Sequence, residues 1–525
     1  MIKARAPREP PPARLLELSP LSPIPFSADD VDVAAYAELR EACLRHGFLP
    51  TFRHGLLLNL AMIAPDAAAA IAAIRRLTHQ EVRGFAISEA DFDRAVAVLE
   101  ANPAGPERSE AAGLPPGELP RCPESWDCHR RGAREVAADM VRFAHASGAS
   151  DLLLDEQEEW LDAAIKVDGQ KEILAPVEKG AAAPLLKAFK EMAGISTQAA
   201  NTWQSGAASF ALGDGRRADL RIEITPTVHG ESLVARLQDR AGQLDRMRRL
   251  PFADPAQRRL AEACLARTQG LIVATGPTGH GKTTTLYSCL GHLDRSLLNI
   301  RTLEDPVEFI VPWITQIPVG AGTGRSFGEG LKSLLRQAPH VILMGEIRDG
   351  AVAQTCLEAV DTGHLILATL HTRDAVGAVS RLLDLGATGR QIAATLLLAI
   401  GQRLVRRLCP HCRRPTAPTP AQRQSFERHQ LAVPEVLWIP GGCPRCGERG
   451  ERGVAPIFEL FHPPSHDDLA DRIGRSGRDA FDERALRARW RELGGSSLAR
   501  EALRLAADGQ ISGAEAAKLD GGEGG

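Results

Sequence analysis

Gly270-Leu271-Ile272-Val273-Ala274-Thr275, followed by Gly276-Pro277-Thr278-Gly279-His280-Gly281-Lys282-Thr283 and then Thr284-Thr285-Leu286-Tyr287, decides how the rest of this chain is read. The first six residues are an apolar run of buried-strand type, and no helix breaker follows Gly281. Between them, Gly276 to Thr283 satisfies every fixed position of the phosphate-loop pattern G-x-x-x-x-G-K-[ST]. Strand, glycine loop and helix in that order make chemical sense. Glycines let the backbone turn its N–H groups onto a polyphosphate, Lys282 brings a cation to the β/γ oxygens, and the Thr283 hydroxyl can hold Mg2+. ATP is the expected ligand, with Gly276, Pro277, Thr278, Gly279, His280, Gly281, Lys282, Thr283 and Thr284 around it. The alternative is a glycine-rich loop that ends in Lys-Thr by chance; the flanking strand and helix argue against it.

The chain has 525 residues, enough for three or four domains with buried cores. Its formal charge of -3 leaves no basic excess, so nucleic acid is not an expected partner. The stretch Met1 to Ser27 is proline-rich without an apolar segment, and the apolar runs Gly55 to Ala64 and Gln391 to Gly401 fall short of the roughly 18 residues of a membrane span. A soluble, cytoplasmic protein is expected. Four of the ten cysteines form two C-x-x-C pairs, which favours thiols and a metal over a disulfide framework.

Working outward, residues 1–30 read as a flexible leader and 31–102 as a small α+β module with a helix over Ala67–Leu77, a strand over Val82–Ile87 and a helix over Glu89–Leu99. The Pro/Gly-rich residues 103–130 form a linker. Cys122, Cys128 and His129 lie near one another there, but no second pair stands close, so idle or solvent-exposed thiols are expected rather than a metal site. Residues 131–245 read as a mainly sheet domain. It has a helix over Arg131–Ala146, strands over Leu161–Val167, Ser209–Leu212 and Ala218–Thr225, and Asp-Gly turns as hairpin signals. Residues 246–406 alternate helix and buried strand, the pattern of an α/β core with a parallel sheet. Residues 407–462 carry the cysteine pairs, and 463–525 are charged and helical.

In such a sheet, ligands meet the C-terminal ends of the strands. Three strands end in polar groups: Glu304-Asp305-Pro306-Val307-Glu308, Gly345-Glu346-Ile347-Arg348-Asp349, and Leu370-His371-Thr372. One carboxylate near a γ-phosphate can orient water and another can fix the metal. Position alone leaves open which does which. Cys409-x-x-Cys412 and Cys443-x-x-Cys446, separated by residues 413–442, have the spacing of a structural zinc site. His411 and His462 are read as bystanders.

The phosphate loop, Glu304-Asp305-Pro306-Val307-Glu308, Gly345-Glu346-Ile347-Arg348-Asp349, Thr362-Gly363-His364-Leu365 with Thr369-Leu370-His371-Thr372, and Gln402-Arg403-Leu404-Val405-Arg406-Arg407-Leu408-Cys409 together resemble the ATPases of type II secretion and type IV pilus assembly. The resemblance covers about 150–506. It implies a RecA-like core in a hexameric ring, a preceding PAS-like α+β domain, and ATP hydrolysis with Mg2+. It makes Glu304 the water activator, puts Thr283 and Glu346 on the magnesium side, and assigns His364 and His371 to a γ-phosphate sensor. The sheet domain matches the family's arginine-supplying domain, which implies Arg216, Arg221 and Arg236 at a shared nucleotide site, while Arg217 reads as a solvated charge. It implies Zn2+ on the four cysteines and a role at the cytoplasmic domains of inner-membrane platform proteins, the membrane being reached only through those partners. Pseudopilus assembly is the first expectation; pilus extension and a nucleotide-binding scaffold with weakened turnover are the alternatives. Residues 31–102 resemble the family's platform-docking domain in position. They lack an Arg-Leu-Gly-x-x-Leu pattern, so a cyclic dinucleotide is not expected. The departures are His280 where Ser is frequent, Lys166 for Arg, Phe210 for Arg, Arg373 for Asn, and Ala338 and His340 where the family carries two carboxylates.

Overall fold

A computed structural model describes residues 33–54, 57–63, 81–86, 88–101, 126, 128–198, 202–212, 217–238, 243, 246–247, 249–320, 323–475, 477 and 481–520. The chain divides into two compact units, Met1–Ala112 and Gly113–Gly525. In the first, β1 (Phe48–His54) runs antiparallel to β2 (Leu57–Met62), and β2 parallel to β3 (Glu81–Ala86). Its helices Val33–His46 and Glu89–Ala101 are joined by Glu100, which accepts from Tyr36 Oη and Arg40 Nε, each at 2.7 Å. The helix expected over Ala67–Leu77 lies outside the described residues.

The second unit opens with an antiparallel sheet in the order β6-β5-β4-β10-β9-β8, built from β4 (Ala149–Glu156), β5 (Trp160–Val167), β6 (Gln170–Ile173), β7 (Val177–Glu178), β8 (Gln204–Ala211), β9 (Arg217–Thr227) and β10 (Gly230–Gln238); β7 also pairs with β5. The helices Ala133–Ala146 and Lys179–Met192 bury one face, where Leu152, Leu154, Ile165, Ile222, Leu233 and Phe189 share a core. Asp168-Gly169 makes the expected tight turn between β5 and β6, with φ of 49° and 83°. β4 and β10 were not read as strands in the sequence. Ser150-Asp151-Leu152-Leu153-Leu154-Asp155 has no clean alternation, yet β4 is extended because it is paired on both sides, a case of tertiary pairing overriding local pattern. Cys128 is buried in this core, so of the two alternatives expected for this thiol the exposed one does not hold.

A mainly parallel sheet follows, in the order β13-β12-β14-β15-β11-β16-β19. Its strands are β11 (Gly270–Thr275), β12 (Ile300–Glu304), β13 (Thr315–Pro318), β14 (Val341–Met344), β15 (Leu365–Leu370), β16 (Leu396–Leu408) and β19 (Glu451–Phe461). Every pair is parallel except β16 with β19. β11, β14 and β15 are buried throughout, with apolar clusters on both faces, as continuous apolar runs require. Between β16 and β19 the cysteine-bearing segment contributes a small ladder, β17 (Arg414–Thr416) with β18 (Leu437–Ile439). Among the described residues no helix is long and apolar enough to cross a membrane.

Candidate nucleotide site and tetracysteine cluster

β11 ends at Thr275, in register with Leu370 of β15 and Gly401 of β16, so the C-terminal ends of β11 and β15 and the middle of β16 meet at the phosphate loop. Gly276, Gly279 and Gly281 hold φ of 144°, 80° and 78°. A Cβ on Gly276 would stand 2.5 Å from the Gln402 carbonyl, so that position admits only glycine; around Gly279 the space is open. The helix Lys282–His292 starts directly behind the loop. Lys282 Nζ donates to the carbonyls of Gly276 at 2.6 Å and Pro277 at 3.0 Å, keeping the cation over the loop. Burial lowers the Lys282 ammonium, Glu346 opposes that shift and Arg403 adds to it. Loop amides, a buried lysine and a helix N-terminus fit a nucleotide polyphosphate.

The two acidic strand ends differ. Glu304 closes β12 and is 3% exposed; its carboxylate accepts from the Tyr287 and Thr302 hydroxyls and from Gln316 Nε2 at 3.3 Å. None of these partners is a cation, and burial raises its pKa above the ordinary carboxylate range. Glu346 lies in the adjacent strand-end loop, since Gly345 N–H donates to the Leu303 carbonyl at 2.7 Å. Its carboxylate accepts from Arg348 Nε at 2.8 Å and stands 3.3 Å from His371 Nε2. Burial, together with Lys282, holds His371 below the usual imidazole value. Lys282, Glu346, Arg348 and His371 therefore form one polar group beside the loop.

Other expected site residues lie elsewhere. His364 precedes β15, and its carbonyl accepts from Gly270 N–H at 3.1 Å, at the opposite end of the strands from the loop. A strand of that length places it roughly 20 Å from His371. Its Nδ1 lies 2.8 Å from the Ala359 carbonyl, so His364 and His371, expected together in one sensor, do not meet in this structure. Ala338 and His340 lie at that same far end: Asn299 Nδ2 donates to the Ala338 carbonyl at 2.8 Å, and Leu365 N–H to the His340 carbonyl at 3.1 Å. The missing carboxylates are thus absent from the far edge, not from the strand tips where phosphate chemistry would occur.

Arg221 and Arg236 are directly opposite on β9 and β10, and Asp151 and Lys166 extend the same cross-strand row over β4 and β5. The row lies on the face turned away from the module's core. Arg221 Nε donates to Glu223 at 3.2 Å and Arg236 Nε to Asp151 at 3.0 Å. Arg216 lies outside the described residues, and Phe210 packs beneath Arg142, whose Cζ is 5.5 Å from its ring centroid.

The four cysteines meet. Their Sγ atoms all lie within 4.8 Å of one another, with Cys409–Cys443 at 3.9 Å and both Cys412–Cys446 and Cys443–Cys446 at 3.8 Å. Four thiolates ~2.3 Å from a tetrahedral ion would stand ~3.8 Å apart. The Gly442 and Gly450 N–H groups donate to Cys412 Sγ at 3.3 Å and Cys446 Sγ at 3.1 Å, as structural metal knuckles do. His411 lies 3.1 Å from Arg445 Nη1, and His462 3.7 Å from Cys264 Sγ, so neither joins the cluster. The knuckle also grips the sheet module: Arg449 donates to the Cys446 carbonyl at 3.0 Å and pairs with Glu172 at 3.1 Å, while Gly453 N–H donates to Asp168 at 2.7 Å.

Sequence reading missed β16, β19 and the residues they bring to the loop. Gln402, 2% exposed, accepts from Thr285 Oγ1 at 2.6 Å and donates to the His280 carbonyl at 2.8 Å. Glu459 on β19 is also buried. It accepts from Ala375 N–H at 3.0 Å, four residues beyond His371, and burial raises it to about 7. The signal that could have found them is a polar side chain in an otherwise apolar run.

Comparison with known proteins accords with this geometry. The model for type II/IV secretion system proteins matches residues 132–517, and that for the MshEN domain matches residues 20–105. The chain is 41% identical over 323 residues to the type II secretion system protein E of Klebsiella pneumoniae, covering 61% of this chain and 64% of that protein. It is 40% identical over 326 residues to the type II secretion system ATPase E of Vibrio cholerae, covering 61% and 63%. With the type II secretion system protein HxcR of Pseudomonas aeruginosa it shares 38% over 375 residues, covering 71% and 74%. The chain therefore spans slightly less than two thirds of the first two relatives. In fold it is similar to the Legionella pneumophila ATPase DotB (TM-score 0.53, 17% identity, covering 77% of this chain and 98% of that one) and to the Yersinia pseudotuberculosis ATPase DotB (0.54, 20%, 78% and 99%). Because the family match runs through the sheet module, the phosphate loop and the four cysteines alike, the chain belongs to the type II/IV secretion system protein family.

Proposed function

We propose that this protein hydrolyses ATP to drive assembly of a pseudopilus in type II secretion, working as a hexamer at the cytoplasmic face of an inner-membrane platform. The observation that carries the enzymatic reading is the meeting of Lys282, Glu346 and His371 beside a glycine-built phosphate loop, one strand away from the buried Glu304. The direction of the secretion assignment comes from the relatives named for type II secretion. Loop N–H groups and Lys282 would bind the β/γ-phosphates. Thr283 and Glu346 would hold Mg2+, which supplies charge neutralisation on the phosphoryl oxygens.

The difference between the carboxylates supports a division of roles. Among the described residues Glu304 has no cationic partner, and its pKa is raised, which makes it the better proton acceptor from water. Glu346, in the polar group with Arg348, suits the metal side. His371 would sense the terminal phosphate, and Arg216, Arg221 and Arg236 would neutralise charge developing on the transferred group. The four cysteines fit Zn2+, whose binding would contribute on the order of 10 kcal/mol to folding of a loop-rich segment.

Phosphate release from MgATP by the purified protein tests the reading, with Lys282→Ala as control. Turnover well above that control is expected; equal rates would remove the enzymatic assignment and leave a nucleotide-binding scaffold. About one zinc per chain is expected by elemental analysis, and a metal-free folded sample would remove the metal assignment.

A further inference from the structure

β11 stops at Thr275, opposite Gly401, but β16 continues to Leu408. Beyond Gly401 its pairing is with β19 alone: Gln402 with Phe458, Arg403 with Ile457, Leu404 with Pro456. This overhang passes across the phosphate loop. A carbonyl can only accept, so the His280 carbonyl fixes the Gln402 amide with its NH2 toward the loop and its oxygen toward Thr285. One carboxamide thus ties the loop to the first turn of the helix behind it. Two residues on, Leu404 N–H donates to His280 Nδ1 at 3.0 Å. Gly281 leaves room for the arrangement, because a Cβ there would approach Gln402 Nε2 to 2.9 Å.

From this geometry we propose that Gln402, together with His280, is a positioning residue for nucleotide binding, holding the phosphate loop open at the width its N–H groups need. The inference rests on the ATP-binding reading above. His280 must present a bare Nδ1 to Leu404, which requires a neutral ring. Burial and the nearby Arg403 and Lys282 cations all disfavour its protonation. Histidine at this position therefore gives the loop a second tether to β16 through its side chain. Loop N–H groups act only where they converge, and displacement by about 1 Å can cost about 10²-fold in a positioned reaction.

The test uses full-length protein and a fluorescent N-methylanthraniloyl ATP with Mg2+. Gln402→Met keeps the side-chain volume and removes both hydrogen bonds. We expect about tenfold weaker binding and a matching rise in KM, with kcat at saturating ATP within about threefold of wild type. Thr285→Val, which removes one bond of the two, should weaken binding by about threefold, and it decides the matter if Gln402→Met does not fold. Binding by both folded variants within twofold of wild type would overturn the positioning role. Failure of the wild-type protein itself to bind the analogue would overturn the ATP reading instead, so the two failures are distinct.

Discussion

The two large sheets of this protein place their chemistry in opposite ways. In the mainly parallel sheet, β11, β14 and β15 are buried along their whole length, and Lys282, Glu304, Glu346 and His371 stand at or just beyond the points where strands stop. In the antiparallel sheet, one face packs on two helices while the other carries the row Lys166, Asp151, Arg236 and Arg221 in mid-strand. The difference follows from coverage. A sheet covered on both faces can offer only its ends, whereas a half-covered sheet can display side chains at every second residue. Loss of a tip residue should therefore disable chemistry, loss of a buried strand residue should cost stability, and loss of an open-face arginine should cost turnover without cost to stability.

The largest effect is expected at the tip. Glu304→Gln should lower phosphate release by about 10³-fold while nucleotide binding persists, as for loss of a general base. A fall of less than tenfold would move the base to another residue and weaken the contrast between the acidic tips. Next, Leu343→Ala in β14, at a position 1% exposed, should destabilise the protein by about 3 kcal/mol in denaturant unfolding.

Arg221→Ala on the open face should change stability by less than about 1 kcal/mol, because its ion pair with Glu223 is solvated. It should nonetheless slow turnover by about 10²-fold. Unaltered turnover would make the row a solvated surface and dissolve the distinction drawn between the sheets.

The smallest effect concerns pH. Because burial raises the Glu304 pKa, the unfolded chain ionises this group before the folded protein does. Folding is then unpenalised at a pH below the ordinary value of about 4.3, and the penalty grows as pH rises through the folded pKa. Glu304→Gln removes the penalty, since the Tyr287 and Thr302 hydroxyls can accept as well as donate. Its thermal midpoint should match wild type near pH 4 and exceed it at pH 8. A midpoint below wild type at pH 8 would show that the carboxylate is stabilised by its hydrogen bonds more than burial opposes it.

Sequence reading was most successful where each residue's role depends on its neighbours along the chain. The phosphate loop, the apolar runs of β11, β14 and β15, the strand-end carboxylates and the two C-x-x-C pairs are all local patterns, and the structure builds each at that place. It was weaker in the sheet module. β4 lacks a strand-like alternation and takes its form from partners on either side. The arginine row could be named only through resemblance, because nothing along the chain aligns Arg221 with Arg236.

What the sequence determined by itself is the chemistry on offer: a glycine loop with its lysine, acidic groups after apolar runs, and paired thiols, each set by bonds and spacings of a few residues. Tertiary structure alone decided which of these groups meet. It carried His364 away from His371 along a strand, removed Ala338 and His340 from the strand tips, and laid Gln402 of β16 across the loop. The physical reason is that strand register and crossover packing, which no short window contains, set the distances over which hydrogen bonds and charges act.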